Sequence, residues 1–165
     1  MIVCGIDPGK TGAIAFLQSA PARLLSVTPM PIQMPAGRRT SARKHSVNWW
    51  AVCAAIRDTL PDLLVIERQG AMPGQGVSST FSIGYQYGAL IGIASALGIP
   101  FEIVEPRKWK SGLGLIGLDK NASRDRATEL LPEGAALFSR VKDHGNAEAS
   151  LIALWKVRYD SPLPN

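Results

Sequence analysis

Residues 1–16 read MIVCGIDPGKTGAIAF, and the fold turns on how they are parsed. Ile2–Ile6 is a short apolar run of the kind that makes a buried strand. Pro8–Gly12, the segment PGKTG, is turn chemistry. AIAFL at 13–17 then starts a second strand, and ARLLSVTPM at 22–30 a third, which predicts an antiparallel meander. Asp7 closes the first strand. A carboxylate there is costly unless a cation or a metal ion answers it, or unless it merely holds the turn.

Further along the chain, Asn48 is a good N-cap for a helix through WWAVCAAIRDTL (49–60), which Pro61 follows. DLLVIE (62–67) is apolar on both faces, as a central parallel strand is, and it also ends in a carboxylate, Glu67. After the glycine-rich loop RQGAMPGQGVSS (68–79), a long helix is predicted over Thr80–Gly98. Its glycines 84, 88 and 92 recur at every fourth position and make a smooth stripe. The stripe suits close packing against a sheet, the expected partner, or against a second copy. PFEIV (100–104) is a strand. NASRDRATELL (121–131) is a helix capped by Asn121 and stopped by Pro132, and NAEASLIALWKVRY (146–159) is the last helix, apolar at Ala147, Leu151, Leu154 and Trp155. Three strands, then helices alternating with strands, predict a mixed α/β sheet with helices on both sides. We expect one domain over 1–160 and a short tail, 161–165.

The 165 residues are 46% hydrophobic and 19% charged, an ordinary globular composition. No apolar run approaches the ~20 residues needed to span a bilayer, and no signal peptide is expected. Cys4 and Cys53 lie in apolar surroundings and do not make a disulfide framework, so free thiols in a reducing intracellular compartment are expected. The net charge is +5, and its placement matters more than its sum. GRRTSARKH (37–45) carries four cations and no acid, in a region 29–46 read as a mobile loop. Arg107, Lys108 and Lys110 form a second cluster. Each cluster is either a solvated loop or an anion-binding surface.

The acids converge. Asp7 and Glu67 end strands, and ligands collect at strand carboxyl ends in open α/β sheets. In KDHGNAEA (142–149), Asp143, His144 and Glu148 crowd the start of the last helix, where His144 and Glu148 share a face one turn apart. Asp, Glu and His together are ligand chemistry for a divalent cation such as Mg²⁺ or Mn²⁺. Taken singly, each acid has a structural explanation: Asp7 as turn-former, Asp143 as complement to a helix dipole.

GIDPGKTGAIAF (5–16), LLVIERQGAMPGQG (63–76), GIPFEIVEPRKWKSGLGL (98–115), DKNASRDRA (119–127) and KDHGNAEASLIALW (142–155) resemble, in order, the RuvC family of Holliday junction resolvases, most of all its phage and organelle branches. The resemblance implies an RNase H-like fold, a mixed five-stranded sheet flanked by helices on both faces. It implies a homodimer that nicks two opposing strands of a four-way DNA junction with Mg²⁺, for which Mn²⁺ substitutes, two ions per site. Neither a membrane nor a small-molecule cofactor is expected. By motif, Asp7, Glu67 and Glu148 match the family's acids. The bacterial proteins place another helix ligand where this chain has Gly145, a departure. His144 is the better substitute because it shares a face with Glu148; Asp143 is second choice. Lys110 and Lys120 match lysines that contact DNA. The loop 68–77 stands where the family enters the crossover, with Gly70 at the bacterial aromatic wedge, which leaves Met72 or Gln75 for that role. Arg38, Arg39, Arg43, Lys44, Arg68, Arg107 and Lys108 complete the expected DNA surface.

Three rivals remain. An actin-like ATPase or sugar kinase also ends its first strand in an aspartate and a glycine-threonine turn, but needs two lobes and a second nucleotide-binding motif. A non-catalytic junction binder would have a broken acid set. A related RNase H-like nuclease acting on a flap or an RNA–DNA hybrid is the closer runner-up, and a cleavage assay across substrates separates it.

Overall fold

A computed structural model of the chain describes residues 1–34, 45–71 and 73–159. The expected basic-loop contacts Arg38, Arg39, Arg43 and Lys44, the wedge candidate Met72, and the tail 161–165 lie outside the described residues.

The meander forms as read: β1 (Ile2–Asp7), β2 (Ala13–Ser19) and β3 (Ala22–Pro29) pair antiparallel. The region after β3 is not wholly loop, because β4 (Ile32–Gln33) and β5 (Ser46–Val47) pair as a small second ribbon. α1 spans Trp49–Thr59, and Asn48 caps it by accepting the Ala51 N–H. β6 (Leu63–Glu67) lies parallel to β1, and β7 (Phe101–Val104) parallel to β6, which gives the five-stranded order β3-β2-β1-β6-β7.

Strand periodicity divides the core in two. On one face Val3, Val65, Ala13, Ala15 and Leu17 meet the last helix, α5 (His144–Tyr159), together with α3 (Pro106–Gly112) and α4 (Lys120–Leu130). On the other, Cys4, Ile6, Leu64 and Ile66 meet α1 and the long helix α2 (Val77–Ala96). The Cys4 thiol is fully buried there, and burial alone pushes its pKa far above the ordinary range, so it is chemically quiet. Cys53 is partly buried, and both cysteines are free.

Five local expectations are corrected. The cap of α4 is Asp119, which accepts from the Asn121 and Ala122 N–H groups, so the helix begins at Lys120 and Asn121 is inside it. α2 begins at Val77, and α5 begins at His144, two residues before the predicted start. The basic segment after β7 is a helix, α3, with Pro106 in its first turn. The glycine stripe of α2 does not pack on the sheet. That role falls to Gln86, Leu90 and Ala94, while a Cβ added at Gly84, Gly88 or Gly92 would meet nothing within 4 Å.

Candidate active site

Ile6 pairs with Ile66 in the parallel ladder, so Asp7 and Glu67 leave the sheet side by side at the same end. Val3, Gly5 and Asp7 share one strand face, and Val65 and Glu67 share the corresponding one; both acids therefore turn toward α5. Each is buried, with 7% of Asp7 and 8% of Glu67 exposed.

Two glycines let α5 reach them. A Cβ on Gly5 would collide with the Ala149 carbonyl and come within 2.7 Å of the Ala153 nitrogen, so the helix lies directly on the β1 backbone. A Cβ on Gly145 would collide with the Thr11 carbonyl and stand 2.9 Å from Gly12 Cα, so the helix start is pressed onto the turn that follows Asp7. This packing accounts for the glycine at 145: any side chain there would push the helix off the turn. With position 145 closed, the ligand-bearing face runs through His144 and Glu148. Asp7, His144 and Glu148 each offer a ligand atom, and these three atoms lie within 4.8 Å of one another. Two carboxylates and an imidazole at that spacing fit one divalent cation, and Glu67 stands beside the trio.

The cluster has a dress of donors. The Trp109 indole N–H donates to Glu67 Oε1 at 2.9 Å from a fully buried ring. The Ser123 hydroxyl donates to Glu148 Oε1 at 3.1 Å, and Lys110 Nζ lies 3.1 Å from the same oxygen. Burial, reinforced by Glu67 and Glu148, pushes Asp7 from an ordinary 3.8 up to about 8, while Lys110 pulls it down. Burial also raises Glu67, against the indole hydrogen bond and Lys110, which lower it. Acids that resist ionisation when buried together are what a bound cation relieves.

Asp143 is held elsewhere. It sits in a 3-10 turn, Val141–Asp143, where its carboxylate takes the Arg140 guanidinium at 2.9 Å and the Arg140 N–H at 3.0 Å; the guanidinium bond keeps its carboxyl below the usual range. Of the expected DNA contacts, Arg68 pairs with Glu105 at 2.7 Å on the surface. Arg107 and Lys108 line one open face of α3, with the Lys108 ammonium 4.9 Å over the Trp155 ring. Gln75 lines a groove with Lys10, Thr11, Ser78 and Ser79, and Lys120 opens α4. Among the described residues of the expected DNA surface, Lys110 is the one ion-paired within the acid cluster. Trp109 and Ser123 went unnoticed in the sequence. The available signal was a tryptophan inside a lysine-rich segment, a residue with no reason to be there unless its ring is buried.

The architecture is the RNase H-like fold, with its acids at the carboxyl ends of β1 and β6 and on α5. No family model matches the chain. A 91-residue stretch, 54% of the chain, is 32% identical to the chloroplastic Holliday junction resolvase MOC1 of Chlamydomonas reinhardtii. The match covers 10% of that relative, so the chain spans about a tenth of its length. The T. thermophilus RuvC structure in complex with a Holliday junction substrate superposes with a TM-score of 0.65 at 19% identity, covering 97% of this chain and 95% of that one. A second Thermus thermophilus RuvC structure gives 0.61 at 16%, covering 97% of each chain. The Fowlpox virus resolvase, solved with Holliday junction DNA, gives 0.53 at 13%, covering 95% of this chain and 97% of that one. The resemblance to RuvC read from the five motifs is thus matched by likeness in fold over nearly the whole chain, and the likeness to an organelle protein agrees with the branch.

Proposed function

We propose that this chain is a structure-specific DNA endonuclease of the RuvC type that resolves four-way junctions by nicking two opposing strands. The observation that carries the proposal is the convergence of Asp7, His144 and Glu148 ligand atoms within 4.8 Å, beside Glu67, in a fold shared with RuvC. Mg²⁺, with Mn²⁺ as substitute, is the ion this oxygen-rich set suits, held by Asp7, Glu67, His144 and Glu148, two ions per site. A bound divalent ion supplies Lewis-acid chemistry: it polarises a phosphate oxygen and makes water a better nucleophile at neutral pH. The protein's share is positional. β1 and β6 fix two carboxylates, α5 fixes the other two ligands, and Trp109 holds Glu67 Oε1. Branched DNA is the partner. Arg107, Lys108 and Lys120, together with the basic loop 37–45, bind phosphates, and Arg68, Met72 and Gln75 approach the crossover.

Symmetric nicking needs two sites, and α2 supports a homodimer. Val77, Phe81 and Tyr85 are 87%, 75% and 57% exposed, and the open glycines 84, 88 and 92 continue along the same helix. A second copy is the occupant that such a smooth apolar face suits. Free thiols and the chloroplastic relative agree with a reducing intracellular location. Among the described residues no helix is long and apolar enough to cross a membrane.

The test is a cleavage panel of four-way junctions, flaps, RNA–DNA hybrids and linear duplex in Mg²⁺. Paired, symmetric nicks in the junction are expected. Preference for flaps or hybrids would transfer the same chemistry to the alternative substrate class. Glu67→Gln should abolish cleavage while preserving tight junction binding in Ca²⁺; near-normal nicking would remove Glu67 from the site.

A further inference from the structure

Lys110 is engaged in a way that phosphate binding does not explain. Its ammonium lies 3.1 Å from Glu148 Oε1 and 5.0 Å over the Trp109 ring, whose N–H holds Glu67. Its charge is felt by both Asp7 and Glu67. The side chain is 31% exposed, so it is anchored at the cluster with an open route outward along its flexible stem. Glu148 Oε1 also accepts the Ser123 hydroxyl at 3.1 Å, and two donors use both lone pairs of that oxygen. A cation that takes this oxygen must therefore remove a donor. Ser123 is neutral and can rotate its hydrogen away and stay. Lys110 carries the charge that an incoming cation repels.

We propose that Lys110 is a built-in counter-ion that competes with the divalent ion for Glu148, holding the acid cluster together before loading and swinging outward on loading, where its ammonium meets a DNA phosphate. The inference rests on the metal-nuclease reading above. It makes the lysine a positioning residue that sets ion affinity and delays phosphate capture until the site is loaded. A neutral residue of similar length would leave Glu148 open to the ion, at the expense of three poorly compensated acids in the unloaded protein.

The experiment is calorimetric titration of Mn²⁺ into the DNA-free wild-type chain, Lys110→Met and Lys110→Arg, with circular dichroism to establish that each is folded. A crystal of the wild type soaked in Mn²⁺ complements it. Lys110→Met is expected to bind Mn²⁺ about tenfold more tightly or better, as removal of an adjacent competing charge implies, and Lys110→Arg to stay near wild type. In the soaked crystal the Lys110 ammonium should stand beyond ion-pair reach of Glu148. Equal or weaker Mn²⁺ affinity in folded Lys110→Met, or a lysine still paired to Glu148 with the ion bound, overturns the inference and leaves the nuclease reading standing. Absence of Mn²⁺ binding in wild type and Lys110→Met alike overturns both.

Discussion

Replacing Asp7 by Asn should make the metal-free protein more stable, the reverse of what removing a buried hydrogen-bonding acid usually does. The folded-state pKa of Asp7 is about 8, against an ordinary 3.8. At pH 7 the unfolded chain carries the group ionised, whereas the folded chain binds a proton there. The unfolded state thus binds fewer protons, and stability falls as pH rises from about 4 to about 8. Over the roughly 3 pH units between the ordinary value and pH 7, at about 1.4 kcal/mol each, the burden is about 4 kcal/mol. Asn is isosteric and cannot ionise, so Asp7→Asn should relieve a large part of it. The assay is urea unfolding of both proteins in EDTA at pH 7 and pH 5. We expect the variant to be more stable by about 2–4 kcal/mol at pH 7, and the gap to shrink below about 2 kcal/mol at pH 5, where the burden is smaller. Adding Mg²⁺ should then stabilise the wild type more than the variant. A variant that is less stable than wild type at both pH values, or a gap that does not change with pH, would refute the claim that this carboxylate is held under electrostatic stress.

Trp109→Phe keeps an aromatic ring in the core but removes the donor on Glu67 Oε1. Because that bond lowers the Glu67 pKa, its loss should cost about 1 kcal/mol of stability and move the acidic limb of the cleavage pH profile upward. Gly145→Ala forces a methyl group into the Thr11 carbonyl; thermal melts should show a loss of about 2–4 kcal/mol, with cleavage lost together with it. His144→Ala should hurt cleavage far more than Asp143→Ala. The second substitution breaks the Arg140 pair and should show instead in the melting temperature; the opposite ordering in a junction assay would move the ligand to Asp143.

Much of this was legible in the chain because strand periodicity is strong in buried segments. Asp7 and Glu67 each sit at the end of an apolar run, and no reading of those runs puts the two acids elsewhere than at strand ends. Whether they share a face depends on register, which the Ile6–Ile66 pairing supplies and composition does not. α3 was hidden because EPRKWKSG has the charge of a surface loop; only its contact with the sheet and α5 reveals that Trp109 is fully buried while its neighbours stay wet. The cap of α4 shifted by two residues because Asp119 and Asn121 are both good caps, and local chemistry does not rank them. The glycines of α2 misled for a different reason: small residues at every fourth position mark a face as close-packing without saying what lies opposite.

Gly5 carries a consequence for heredity. Where a helix backbone rests on a strand backbone, the two positions that touch cannot drift one at a time. Enlarging residue 5, or Ala149 or Ala153 above it, would lift α5 and carry Glu148 and His144 away from Asp7. Across descendants of this gene, those three sites should therefore change together or stay small, even though none of them bears a reactive group. Anyone wishing to reshape the acid cluster would gain more by altering that seam, through paired exchanges of small residues, than by exchanging the acids themselves.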